Sequence, residues 1–270
     1  FHVDALHFPL FRGHGRILTT LHGRQDDHDL QQLYRGFPDM PLVSISNAQR
    51  EPIPGANFLG TVYHGLPLDL HRPTLEPQGG YLAFLGRISP EKGIERAVAI
   101  ARAVGMPLKI AAKVDRKEVD YYKSIEPLLK CDGIEFVGEI DEARKTSFLG
   151  EAAALLFPID WPEPFGLVMI EAMACGTPVL AFRRGSVPEV IEAGLTGAVV
   201  DTVDEAIAGL PGVLKLDRAR VRRRFEERFT ARRMTLDYLV HYAALAERDR
   251  RRLVAVRTDR MLPQVAVVGT

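Results

Sequence analysis

The chain has 270 residues, 46% of them hydrophobic and 26% charged, which is ample for a core and argues against global disorder. Lys+Arg and Asp+Glu each total 35, so no net charge favours wholesale binding of nucleic acid. Cys131 and Cys175 cannot build a disulfide framework and fit a reducing, cytoplasmic compartment, and no run of 18 apolar residues can span a bilayer. The chain opens Phe1-His2-Val3 with no basic stretch ahead of an apolar one, so no signal peptide is expected. Arg16–Thr20, Leu42–Ile45 and Thr61–Tyr63 read as strands in a first unit, 1–75, with little helix. Three short strands make a poor independent domain, so this unit reads as the back half of an α/β domain. Pro73–Gly80 reads as a linker. A second unit, 76–212, alternates strands Tyr81–Leu85, Leu108–Ala112, Ile134–Val137, Ala154–Phe157, Pro178–Phe182 and Gly197–Val200 with helical stretches. One helix is predicted over Glu91–Val104, with Ser89 as N-cap and Pro90 at the first helical position. Its residues Ile94, Ala97, Val98, Ala101 and Val104 share one face, and Gly105 closes it. The pattern is that of a doubly wound parallel α/β sheet, which binds ligands beyond the carboxyl ends of its strands. The third unit, 213–270, begins with helices Arg218–Arg228 and Ala231–Arg251; from Leu253 onward no pattern is clear.

Charge is uneven along the chain. Lys215–Arg260 carries fifteen Lys/Arg against seven Asp/Glu. Arg222-Arg223-Arg224 and Arg250-Arg251-Arg252 read either as the solvated face of late helices or as a patch for anionic lipid at the inner face of a membrane or for an acidic acceptor.

The richest segment for chemistry runs from Phe157 to Pro178. A strand ends, a Pro-rich loop carries Glu163, and a helix over Gly166–Cys175 carries Glu171 eight positions later. The helix start offers the backbone N–H groups of Phe165, Gly166 and Leu167 and the positive end of a dipole, which suits phosphate or clustered hydroxyls. A carboxylate accepts from two adjacent hydroxyls, as on a sugar or ribose. The plain alternative is two exposed charges on a surface helix, but the helix is otherwise apolar and leaves Glu171 few polar companions. The second segment, Gly86-Arg87-Ile88-Ser89-Pro90-Glu91-Lys92-Gly93, lies where a strand meets its helix. Arg87 and Lys92 there read as a diphosphate clamp, or else as surface cations on an ordinary strand–turn–helix. Neither G-x-G-x-x-G nor a P-loop is present, and the eight histidines show no H-E-x-x-H spacing, so no metal site is expected.

In this order the two segments resemble the donor signature of retaining glycosyltransferases of family 4, which have the GT-B fold of two Rossmann-like domains. The resemblance rests on Glu163-Pro-Phe-Gly-Leu-Val-Met-Ile-Glu171, on Gly86-Arg87 with Glu91-Lys92-Gly93, on Ala172–Val179 and on Arg183–Glu189. It extends upstream to Thr20–Gly23, Ile45–Asn47 and Val62–Pro67. The N-terminal domain would then be incomplete in this chain, with no counterpart for the family's first strand and glycine-rich loop. A further departure is His64-Gly65 where the family often has Asn-Gly, so His64 receives no role.

The resemblance implies that Gly86, Arg87 and Lys92 meet the donor diphosphate and that Glu171 binds ribose hydroxyls. It implies that Glu163 and the N–H groups of Phe165, Gly166 and Leu167 hold the sugar. The backbone at Val137, Gly138 and Ile140 would meet the base, and His22 would reach across the cleft toward the sugar. The implied activity is transfer of a sugar from a UDP-linked donor, or a GDP-linked one, to an unknown acceptor. The two cations would replace a metal, no further cofactor is implied, and front-face attack assisted by the leaving phosphate is the implied course. The competing readings are another GT-B enzyme, such as a nucleotide-sugar epimerase, and a nucleotide-sugar-binding module without activity.

Overall fold

The computed structural model describes His2, residues 7–14 and residues 16–261. A short helix α1 (Phe8–Phe11) precedes strand β1 (Thr19–Thr20), helix α2 (His28–Gly36), β2 (Leu42–Ser44) and β3 (Phe58–Thr61). These strands form a parallel sheet in the order β1-β2-β3. The third strand ends at Thr61 rather than running over Thr61–Tyr63, and the first is only two residues long. Helix α2 lies in the stretch read as poor in helix. Asp27 caps it, accepting from the N–H groups of Asp29 and Leu30. Leu30, Leu33, Tyr34 and Phe37 then face Phe8, Ile17, Met40 and Leu42.

The second sheet is built from β4 (Tyr81–Arg87), α3 (Ile94–Val104), β5 (Leu108–Lys113), α4 (Val119–Leu129), β6 (Ile134–Gly138) and α5 (Glu142–Gly150). It continues through β7 (Ala152–Phe157), α6 (Leu167–Ala174), β8 (Val179–Phe182), α7 (Val187–Val190), β9 (Gly197–Val200) and α8 (Val203–Val213). All pairings are parallel, in the order β6-β5-β4-β7-β8-β9. The sheet is buried on both sides, and its strands alternate between two cores. Leu82, Phe84, Ala154, Leu156, Leu180 and Phe182 pack toward α3, α4 and α8. Tyr81, Ala83, Leu155, Phe157, Val179 and Ala181 pack toward α6 and a later helix α9 (Arg218–Arg228). Strand order reverses between β4 and β7, and the crevice beyond that switch point is where such sheets take ligands.

The helix predicted from Glu91 begins three residues later. Pro90–Lys92 form a 3₁₀ turn, Gly93 follows with φ +72°, and α3 starts at Ile94. Ser89 does not cap a helix; its hydroxyl donates to Glu91 Oε1 at 2.7 Å. The last helix, α10 (Ala231–Met261), runs on past Leu253, where the sequence shows no clear pattern; residues 262–270 lie outside the described residues. Among the described residues, no helix is long and apolar enough to cross a membrane.

Helix α10 returns to the first sheet. Tyr238 and Leu245 pack against Leu18, Val43 and Val62, the Tyr238 hydroxyl lies 3.0 Å from Thr20 Oγ1, and Arg16 pairs with Asp249 at 2.7 Å. Of the α9 arginines, Arg220 and Arg223 are exposed, whereas Arg218, Arg222, Arg224 and Arg228 are half-buried and bonded into the fold, which corrects the reading of this run as wholly a solvated or lipid-facing face. Arg222 donates to the carbonyls of Leu68, His71 and Ala174, and Arg224 pairs with Glu192. Arg250 and Arg251 do extend into solvent, each beside Glu247.

Candidate active site

Arg87 is the last residue of β4, so the strand delivers it to the mouth of the crevice. It is 44% exposed, with Glu91 and Asp115 at 3.6 and 3.7 Å. Gly86 precedes it, paired in register with Ala112 of β5. Five residues after Arg87, the 3₁₀ turn swings Lys92 toward the loop that follows β7. Lys92 Nζ stands 2.7 Å from Glu163 Oε2, and Trp161 Nε1 donates to the same oxygen at 2.8 Å. The Lys92 ammonium also lies 4.4 Å from the centre of the Trp161 ring. Both Glu163 and Lys92 are largely buried, so this pair is shielded from bulk water. The two sequence segments therefore meet at the switch point through one ion pair.

Glu163 leads into α6. Gly166 adopts φ +79°, a conformation that side chains rarely tolerate, and so turns the loop into the helix. The backbone of Phe165, Gly166 and Leu167 thereby opens the helix at the crevice. The Phe165 ring is buried, whereas Leu167 is exposed. One and a third turns into α6, Glu171 is buried, and its Oε1 accepts from Lys145 Nζ of α5 at 2.9 Å. The same ammonium lies 2.9 Å from Glu142 Oε2. His71 is enclosed beside them, with Nδ1 3.0 Å from Thr146 Oγ1 and Nε2 3.4 Å from Glu142 Oε1. His71, Glu142 and Glu171 bring metal-ligand-type atoms within 4.8 Å of one another, and the Lys145 ammonium already supplies a cation to both carboxylates. At the end of β6, Val137 and Ile140 are half-buried against the α6-side core, and Gly138 lies between them with φ +74°.

From the first sheet, His22 follows β1. Its ring stacks on His64 at 5.4 Å and 7°, and His64 sets its edge against Phe165 at 4.9 Å. Its Nε2 also lies 3.1 Å from His2 Nδ1. Burial, then the neighbouring His22, depresses the His64 pKa to about 4. Burial followed by His2 lowers that of His22. His22 therefore approaches the α6 N-terminus through a second imidazole. Arg24, Gln25, Asp26 and Gln49 line a narrow cleft opposite Glu163 and Gly185, and the Arg24 guanidinium lies 5.6 Å from the Trp161 ring. The two sheets are tied nearby by Glu189 of α7. Its carboxylate accepts from the N–H groups of Asn47 and Ala48, each at 2.7 Å, and from the Tyr63 hydroxyl at 2.9 Å.

Trp161, Lys145, His71, Glu142 and His64 are the site residues that sequence reasoning missed. Trp161 carried a signal, being the chain's single tryptophan two positions before Glu163. Lys145 and His71 carried none, because they meet Glu171 only through folding.

The sequence profile of the family described as Glycosyl transferases group 1 matches residues 70–230. The chain belongs to this family. Among its relatives is D-inositol 3-phosphate glycosyltransferase of Mycobacterium marinum, 29% identical over 199 residues, covering 64% of the chain and 40% of the relative. Another is alpha-maltose-1-phosphate synthase of Mycolicibacterium smegmatis, 31% identical over 156 residues, covering 56% and 38%. The chain spans a third to a half of the length of the curated relatives it matches. Sucrose-phosphate synthase of Thermosynechococcus elongatus superposes with a TM-score of 0.72 at 21% identity, over 86% of the chain and 68% of that structure. Anabaena Alr3699/HepE in complex with UDP gives 0.71 at 17%, over 84% and 72%. These likenesses establish the GT-B glycosyltransferase fold.

Proposed function

We propose that this group 1 glycosyltransferase chain binds a nucleoside diphosphate sugar in the crevice beyond β4 and β7 and transfers the sugar, with retention, to an acceptor hydroxyl. The observation that carries the reading is the Lys92–Glu163 pair at the switch point, a shielded cation and carboxylate beside a helix N-terminus. Breaking the bond between sugar and phosphate leaves positive charge on the anomeric carbon and negative charge on the departing diphosphate. Arg87 and Lys92 stabilise the departing charge and take the part that a divalent ion plays in other transferases. Glu163 and the backbone N–H groups at Phe165–Leu167 hold the sugar, Glu171 accepts from the ribose, and the backbone over Val137–Ile140 meets the base. His22, kept neutral by burial, offers a hydrogen bond to the sugar from the first sheet. The acceptor hydroxyl attacks the anomeric carbon on the face the diphosphate leaves, and its proton passes to a leaving phosphate oxygen. UDP is the favoured carrier, and HepE's capture of UDP on the same fold supports it. The acceptor enters from the cleft lined by Arg24 and Asp26. A cytoplasmic location fits the two free thiols.

Calorimetry with UDP, GDP and uridine, all in excess EDTA, tests this reading. UDP is expected to bind at least tenfold more tightly than uridine and to lose nothing to the chelator. Equal affinity for diphosphate and nucleoside, or binding that requires an added divalent ion, would refute it.

A further inference from the structure

The Glu171 carboxylate has two oxygens with different surroundings. Oε1 accepts from Lys145 Nζ at 2.9 Å, and no partner for Oε2 is found among the described residues. Lys145 reaches this position from the second turn of α5 and is anchored on its far side by Glu142, also at 2.9 Å. An ammonium carries three donors, and these two contacts use two of them. Burial pulls the Lys145 pKa down, but its bonds to Glu171 and Glu142 outweigh this and raise it, so the side chain stays charged. The ammonium thus separates two carboxylates that would otherwise repel, and it fixes the rotamer of Glu171. His71 and Thr146 close the back of the cluster. An unpinned glutamate would lose rotamer freedom on meeting a ligand; a pinned one has lost it already.

We propose that Lys145 is a specificity-determining positioning residue that makes the site select ribonucleotides over deoxyribonucleotides. By holding Oε1 of Glu171 it presents Oε2 to the ribose 2′-hydroxyl, and its own third N–H is left for the same ring. The inference rests on the reading of Glu171 as the ribose acceptor. It adds that Glu171 discriminates only while Lys145 holds it.

The test is calorimetry with UDP and 2′-deoxy-UDP on the wild-type chain and on Lys145→Met, Lys145→Arg and Glu171→Gln. Lys145 is 23% exposed, so a methionine of similar length leaves the core of α5 intact. Wild type is expected to prefer UDP by about tenfold, the share of one hydrogen bond to a charged group. Lys145→Met should weaken UDP by that factor, leave 2′-deoxy-UDP unchanged and bring the ratio close to one. Glu171→Gln should do the same, and Lys145→Arg should restore most of the preference. If Lys145→Met weakens both ligands equally, the residue is merely structural and the proposal fails. If it leaves the ratio at its wild-type value, the proposal fails while the ribose role of Glu171 stands. A wild-type chain that binds both ligands alike removes that role, and one that binds neither overturns the functional reading itself.

Discussion

Removing the Lys92 ammonium does two things at once. It takes a charge from the place where a diphosphate is proposed to sit, and it leaves Glu163, a largely buried carboxylate, with the Trp161 N–H as its remaining side-chain donor among the described residues. Lys92→Ala is therefore expected to weaken UDP binding by about 1.5–3 kcal/mol, the worth of a charge-assisted contact, and uridine binding far less. Paired titrations with the two ligands show the difference directly; equal losses would mean that Lys92 only supports Glu163. His64 gives a second prediction, in pH. The fold holds this imidazole neutral down to about pH 4, whereas the unfolded chain takes up the proton near 6.5. The unfolded state then binds more protons throughout that window, so stability falls as pH drops from 6.5 to 4. His64→Asn should flatten part of the decline in melting temperature over this range, and an unchanged slope would place the titration elsewhere. These residues also mark what was legible. Arg87, Lys92 and Glu163 stand out because each sits at a strand end or just ahead of a helix, where chemistry can reach backbone dipoles, and Glu171 stands out as the one acid of an otherwise apolar helix, eight positions after Glu163. His64 and Lys145 act through partners 42 and 26 positions away, and no local pattern announces such a meeting.

Among the elements, α9 departs furthest from its sequence appearance. Its run of arginines looks like a solvated face, and the fold turns several of them into donors for backbone carbonyls. Arg218 reaches Thr74 O, Gly150 O, Ala152 O and Thr177 Oγ1 at 2.7–2.9 Å. It thereby joins the linker to both ends of the α5–β7 turn. Arg218→Ala removes the donors and leaves several acceptors unmatched, at roughly 1–3 kcal/mol for each one that stays buried. A loss of about 3 kcal/mol or more is expected in urea unfolding, and a loss under 1 kcal/mol would show that water replaces the guanidinium. The strands of the second sheet were legible to within two residues because they are continuous apolar runs between turn residues. Helix α3 was misplaced at its start because Pro90 and Ser89 imitate a helix N-terminus. The chain instead spends three residues in a tighter turn, and that turn is what aims Lys92 at Glu163.

For the whole molecule, the relation between the two sheets rests on a few identifiable contacts. Glu189 takes three donors from the first sheet's loops, and burial and then that carboxylate push the Tyr63 hydroxyl pKa up to about 12. Glu189→Gln puts an amide where only acceptors suit, so at least one of the Asn47 and Ala48 N–H groups loses its partner. Expected are a stability loss of about 1–3 kcal/mol and a larger radius of gyration by X-ray scattering. An unchanged radius would mean that the other contacts set the domain angle alone. Close beside Glu189, where Arg228 donates to its backbone carbonyl at 2.6 Å, the chain passes between the sheets twice, outward after Leu66 and back at Thr230. These passages are bonded side by side, Leu66 N to Phe229 O at 2.9 Å and Ala231 N to Leu66 O at 2.8 Å. Gly65 permits the approach, since a Cβ there would collide with the Thr230 carbonyl. The outgoing and returning segments therefore share one pivot, like the two plies of a folded strap. Cutting one ply leaves the other bearing the joint, and any opening of the cleft becomes a rotation about that doubled thread, with Glu189, tied to Arg228 and Tyr63, close to the axis.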